Sequence, residues 1–337
     1  MKKKIVSIIL SCLLVLQLFP INVSAESQYN LGCLLDSDAA IEARLLYQTV
    51  DESSLPSSFD NTSQYPSPGN QGTQGSCTSW AVAYAYKSHQ ERMDYGYKTW
   101  SDGTKFSPSF VYNQTVVGND GGSYISSAFS LLVNSGDCTL RDMPYNQNDY
   151  KTKPNELQKQ KASVHKAKQW FTTKGVSNIK KNIIDTGGVV IGIPVYPDFD
   201  KITWSNQVYD DVSGTSRGNH AICLIGYDDA KGAFKFINSW GGNWGLSGYG
   251  YIAYSLIEKL NTAGYVMIDS ESPSVGDVNR DGVINIRDAT LVQKYVSEIV
   301  TFSEQEIFLG DVNFDGVVDM QDAILIQKYI LELITEF

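Results

Sequence analysis

The stretch Asn70-Gln71-Gly72-Thr73-Gln74-Gly75-Ser76-Cys77-Thr78-Ser79-Trp80-Ala81 decides how the rest of the chain is read. Its thiol follows two small residues, Gly75 and Ser76, and opens a segment whose pattern is helical from Thr78 to Tyr95. Trp80, Ala81, Ala83, Tyr84 and Ala85 give that segment its apolar stretch, and Gly96 is its natural stop. Free N–H groups and the dipole at a helix start favour thiolate over thiol. Small residues before the thiol let backbone approach a substrate carbonyl. Cys77 is therefore a candidate nucleophile.

A nucleophilic thiol needs a base and a group that orients the base. The chain has three His. His89 lies in a charged helical stretch and His165 in a Lys- and Gln-rich one, and both read as surface residues. His220 opens an apolar strand, His-Ala-Ile-Cys-Leu-Ile-Gly-Tyr. A His there is as often a core or edge residue bonded to a carbonyl. The next arm, Phe236-Ile237-Asn238-Ser239-Trp240-Gly241, favours the catalytic reading: Asn238 can fix the imidazole tautomer and Trp240 can shield that bond. After Gly187-Gly188 the pattern predicts short strands at 189–195, 220–227, 233–238 and 248–254, with a turn at 228–232. Helix first and sheet later is an α+β arrangement.

These residues carry a family resemblance. Gln-Gly-x-x-Gly-Ser-Cys, then Asn-His-Ala, then Asn-Ser-Trp-Gly-x-x-Trp-Gly with Gly-Tyr-Gly-Tyr after it, resembles the papain-like cysteine peptidases over about residues 55–268. The resemblance implies a two-part papain-like fold, one part helical and one a β-sheet. It implies Cys77 as nucleophile, His220 as acid/base, Asn238 as the orienting group, and Gln71 with the Cys77 N–H as oxyanion donors. Peptide hydrolysis would run through a thioester, with no cofactor. Gly118-Asn119-Asp120-Gly121-Gly122 resembles the glycine wall that holds substrate backbone, with Gly121, Gly122 and Tyr124 as candidate substrate contacts. Two positions depart from the family pattern. Gln74 stands where many members have a Cys, and Thr78 where a Trp is common; local repacking is expected. A transglutaminase-type enzyme would have a carboxylate in place of Asn238. An idle binding or inhibitory protein on the same fold would usually have lost Cys77, His220 or Gln71.

The chain has 337 residues and a formal net charge of −10. Three of its 27 Lys and Arg fall in the first four residues. An acidic chain disfavours nucleic acid and anionic membranes as partners. Lys2, Lys3 and Lys4 precede an apolar run, Ile5 to Phe19, and Val23-Ser24-Ala25 has cleavage-site spacing. Residues 1–25 thus read as an export signal and the protein as secreted; the run is short for a membrane anchor. Residues 26–54 read as a short leader or propeptide, 55–269 as the peptidase domain and 270–276 as a linker. Cys33, Cys77, Cys138 and Cys223 remain after the signal. Cys33 and Cys138 are the pair expected if a disulfide forms, since Cys223 sits in a strand expected to be buried.

The last 63 residues hold twelve carboxylates against four Lys and Arg, which points to bound cations. They also repeat: Asp277-Val278-Asn279-Arg280-Asp281-Gly282 returns as Asp311-Val312-Asn313-Phe314-Asp315-Gly316. Each copy fits a calcium loop. The first offers Asp277, Asn279, Asp281, the Val283 carbonyl, Asn285 and Asp288; the second offers Asp311, Asn313, Asp315, the Val317 carbonyl, Asp319 and Asp322. Two such loops, each followed by an apolar helix, resemble a dockerin, a small all-α module, over residues 277–337. The resemblance implies two Ca²⁺ and attachment to a cohesin on a scaffold of the plant-wall-degrading kind. The cohesin contacts would be Ile286, Arg287, Gln293, Lys294 and Glu298 in one repeat, and Met320, Gln321, Gln327, Lys328 and Glu332 in the other.

Overall fold

The computed structural model describes residues 29–269 and 274–337; the expected export segment and most of the expected linker lie outside them. The thiol-bearing segment is one continuous helix, Cys77–Ser79, Trp80–Lys87 and Ser88–Tyr95, whose middle part is π-helical. It stops at Gly96, whose φ of 71° is the left-handed geometry that glycine tolerates best. Val82, Ala83 and Tyr86 are wholly buried. They pack with Phe106, Phe110, Phe129 and Leu132 from the helices Pro108–Thr115 and Ile125–Ser135 and the segment before them.

The second half is a sheet. Its strands run in the order Ala167–Thr173, Gly264–Asp269, Val189–Val195, Gly218–Asp228, Ala233–Ile237, Tyr249–Ala253 and Val208–Tyr209, with Ser58–Asp60 added onto Gly218–Asp228. Val208–Tyr209 joins Tyr249–Ala253 in parallel. Ile193 pairs with His220, and Cys223 with Ile237. Ile191, Ile222, Leu224, Phe234 and Phe236 form a second core under this sheet. The two-part α+β architecture is the one expected.

The reading of His89 and His165 as surface residues is wrong. His89 is 3% exposed, stacked on Tyr65 at 4.5 Å, with Asn61 Nδ2 2.8 Å from its Nε2. His165 is also buried, its Nδ1 2.8 Å from Glu91. Glu91 pairs with Lys87, which reaches Asp269. Charges that neutralise one another can face inward, so the charged stretch of the helix is partly interior.

The C-terminal module pairs the helices Ile286–Val296 and Met320–Ile330 over Val278, Ala289, Val292, Val312, Ala323 and Ile326. Phe308, on the short helix Glu304–Gly310, packs edge-on against Tyr95 and His165 of the larger domain. Phe314 does the same against Tyr97.

Candidate active site

Cys77 occupies the first helical position, and the capping residue Ser76 makes no side-chain cap bond. Ser76 Oγ instead bonds Tyr145 Oη, which donates to the Gln71 carbonyl. The two departures from the family pattern are absorbed locally. Gln74 is buried and donates to the Asn146 carbonyl, while Thr78 Oγ1 donates to the Ser123 carbonyl.

The strand Gly218–Asp228 carries His220 to the helix start. His220 Nε2 lies 2.7 Å from Asn238 Oδ1, and Trp240 covers the imidazole at 4.5 Å between rings. The Asn238 oxygen also accepts the Ser239 N–H, which fixes the amide. Among the described residues His220 Nδ1 has no hydrogen-bond partner. Gln71 is held by Ser239 Oγ, which donates to its Oε1 at 2.7 Å. Ser239 lies inside the Asn-Ser-Trp-Gly motif, but its bond to Gln71 joins segments 168 residues apart and has no signal in the local pattern.

Cys77 and His220 are both fully buried. Burial pushes the Cys77 thiol up to about 11, although the N–H groups of Ala221, Thr78 and Gly32 hold it down. Burial lowers His220 to about 4, against the Asn238 bond that raises it, and Arg217 lowers it further. Residues 29–34, in the expected leader, lie over this end of the helix. Gly32 lies against Gly75, so close that a Cβ on it would fall 1.9 Å from the Gly75 oxygen. The Asn30 carbonyl accepts from Gln71 Nε2 and from Trp240 Nε1, each at 3.2 Å. Tyr29 stacks on Trp240 at 4.7 Å. Cys33–Leu34 then pairs in parallel with Ser123–Tyr124.

The glycine-rich segment meets residues 32–34 at its far end. Gly122 does face the leader: its φ is 90°, and a Cβ there would sit 2.1 Å from the Gly32 oxygen. Tyr124 pairs with Leu34. Gly121 is exposed and its N–H is used in a turn to the Val117 carbonyl. Ser123, which the sequence did not single out, donates its N–H to Gly32 at 2.9 Å. The four described cysteines are all free and buried, so the expected Cys33–Cys138 pair is not formed. Cys33 faces Gly192 under the leader strand instead.

The two C-terminal loops are wired alike. Asp277 accepts the N–H groups of Asp281 and Gly282, and Asp311 those of Asp315 and Gly316. Asp288 accepts from Asn279 and Asn285, and Asp322 from Asn313 and Asp319. Among the described residues no three His, Cys, Asp or Glu side chains form a closed metal cluster. The donor set of each loop is mixed: carboxylates, one or two Asn and a carbonyl. Asp288 and Asp322 are nevertheless wholly buried. Burial, with Asp322 and Asp315 close by, pushes Asp311 up to about 7. Crowded, half-buried oxygen donors of this kind fit a hard divalent cation. The ten expected contact positions lie on the surface of the two helices and just beyond them, eight exposed and Gln293 and Gln327 half-buried.

A model of the papain family of cysteine proteases matches residues 55–268, and a model of the type I dockerin domain matches 275–331. An uncharacterized peptidase C1-like protein of Acanthamoeba polyphaga mimivirus is 26% identical over 249 residues, spanning 66% of this chain and 79% of that protein. Cathepsin B-like CP3 of Giardia intestinalis is 27% identical over 231 residues, 64% of this chain and 74% of its own. Among solved structures, the cysteine protease xylellain of Xylella fastidiosa shares the fold at a TM-score of 0.61 and 23% identity, covering 72% of this chain and 97% of its own.

Proposed function

Since the chain belongs to the papain family of cysteine proteases and carries a type I dockerin domain, we propose that it is a secreted peptidase fixed to a cohesin-bearing scaffold, with its cleft filled by its own leader until that leader is removed. Cys77 attacks the peptide carbonyl and His220 carries the thiol proton to the leaving amine. Asn238 holds the imidazole through Nε2, which leaves Nδ1, without a partner among the described residues, for the proton. Gln71 Nε2 and the Cys77 N–H stabilise the oxyanion, and water then hydrolyses the thioester. The observation that carries this reading is the Asn30 carbonyl, a peptide carbonyl of the chain itself, lying on the Gln71 amide beside the buried Cys77 and His220.

Asp277, Asn279, Asp281, Val283, Asn285 and Asp288 would hold one Ca²⁺, and Asp311, Asn313, Asp315, Val317, Asp319 and Asp322 a second. The ions would supply charge neutralisation and fix the loops that carry the two helices. Their faces would meet the cohesin, and the substrates would be proteins.

The leader-free chain is assayed on casein and on fluorogenic peptides, with Cys77→Ala as the comparison. Turnover that is lost in Cys77→Ala supports the proposal. A Cys77→Ala protein that cleaves at the unaltered rate overturns it.

A further inference from the structure

Beyond the reacting groups, the leader makes one polar contact that has the form of a built recognition site. Asp36 lies four residues past Gly32, roughly 13 Å along an extended chain. It reaches the start of the helix Ile125–Ser135. Its Oδ2 accepts the Ser126 N–H at 3.2 Å and the Tyr265 hydroxyl at 2.7 Å, and its Oδ1 accepts Ser126 Oγ. The helix has eleven residues, and its own capping residue, Tyr124, makes no side-chain cap bond. Tyr265 is 4% exposed. Among the described residues its hydroxyl has no acceptor other than Asp36. Without Asp36, a buried hydroxyl, a serine hydroxyl and an uncapped helix N–H all face the place its carboxylate holds.

We propose that Ser126 and Tyr265 form a subsite that selects an acidic side chain, Asp or Glu, in the substrate. The inference rests on the leader being an occupant of the cleft. All three donors are neutral, and the Ser126 N–H can only donate. A carboxylate accepts all three bonds as charge-assisted ones, which are roughly twice as strong as neutral ones. The positive end of the helix dipole adds to the preference for a negative charge. An amide of the same shape keeps only the neutral part of this interaction. The subsite lies on the side of Cys77 where Gly122 and Ser123 hold extended backbone, so it reads a residue a few positions from the bond that is cut.

The test uses the full chain with a recognition sequence for a site-specific protease placed at 49–53, so that the leader can be cut away. Among the described leader residues Cys33 is the fully buried core member, while Tyr29, Leu31 and Ile41 pack against the two cores from their margins. Two measurements are made. The first compares kcat/KM for peptide pairs carrying Asp or Asn, and Glu or Gln, at each of four positions on either side of the cleaved bond. The expected result is about a tenfold preference for the acid at one position, falling to about twofold in Tyr265→Phe or Ser126→Ala. The second measures binding of a synthetic peptide of residues 29–48 to the leader-free Cys77→Ala protein. Asp36→Asn in the peptide should weaken binding about tenfold, and much less when the protein carries Tyr265→Phe. Equal binding of the two peptides overturns the subsite, as does an active enzyme with no acid preference at any position. An enzyme that cleaves no peptide counts against the peptidase reading alone, and the binding comparison then still decides the subsite.

Discussion

The side-chain amide of Gln71 donates to the backbone carbonyl of Asn30 at 3.2 Å, across 41 residues of chain. A donor suited to an oxyanion is therefore in use while the leader is in place. The same Gln71 nitrogen also donates to the Gln74 carbonyl at 2.8 Å, and Ser239 holds its oxygen. The amide is thus oriented from both ends before any substrate arrives, which is the preorganisation that makes such donors effective.

Removing that donor should act on the chemical step. Gln71→Ala in the leader-free enzyme is expected to lower kcat by a factor on the order of 10²–10³ with a much smaller change in KM. Steady-state kinetics on a fluorogenic peptide measures both; an unaltered kcat removes Gln71 from the reaction. Ser239→Ala should give a smaller fall in kcat, because it frees the amide to rotate without deleting it.

The buried thiol gives the leader a chemical signature. With the leader in place the Cys77 thiol sits at about 11, because burial outweighs the three N–H groups that face it. Alkylation by iodoacetamide should be slow at pH 7 and should rise steadily with pH towards that value, since the thiolate is the reacting species. Cutting away the leader should raise the rate at pH 7 at least tenfold. Equal rates before and after cutting would show that the leader does not shield Cys77.

Two buried imidazoles set an acid limit on stability. Burial lowers both His89 and His220 to about 4. The unfolded chain takes up these protons near pH 6.5, before the folded one does, so stability is full above that pH and falls as the pH drops to about 4. Each group can contribute a loss of about 3 kcal/mol over this window. Urea unfolding at pH 7, 5.5 and 4.5 measures the slope, and His89→Gln should flatten it at a cost in stability at pH 7. A flat profile between pH 6.5 and 4.5 would contradict the assignment of these residues as neutral.

Calcium should be coupled to the folding of the C-terminal module. The third core is small, and the loops beside it bring Asp277, Asp281 and Asp288, or Asp311, Asp315, Asp319 and Asp322, close together. Calorimetry is expected to count two Ca²⁺ per chain, and chelator to remove part of the helical circular dichroism while peptide hydrolysis continues. Cohesin capture should require calcium. It should survive changes at Gln293 and Lys294, or at Gln327 and Lys328, and fail when both pairs are changed. Calcium-independent capture is the contrary result.

Much of the fold and of the site can be read along the chain, because local patterns carry them. The strand 189–195 is found at those bounds, and the helix that starts at Cys77 ends at Gly96 because glycine alone adopts its left-handed turn cheaply. The motifs of Cys77, His220 and Asn238 name the residue types that thiol chemistry needs, and the loop glycines Gly282 and Gly316, with φ of 88° and 91°, mark the sharp bend of the acidic loop in both repeats. Other features depend on contacts between distant segments, to which a local pattern is blind. Polar composition assigned His89 and His165 to the surface; Tyr65 and Glu91, brought to them by the fold, make burial favourable. Gly121 and Ser123 stand two residues apart in a glycine-rich turn, and only the parallel pairing with Cys33–Leu34 decides that the second of them meets the leader. That Asn30 lies on Gln71 and Asp36 on Tyr265 is likewise set by tertiary structure alone, since each bond joins residues whose spacing carries no signal and whose partners are chosen by the shape of the cleft.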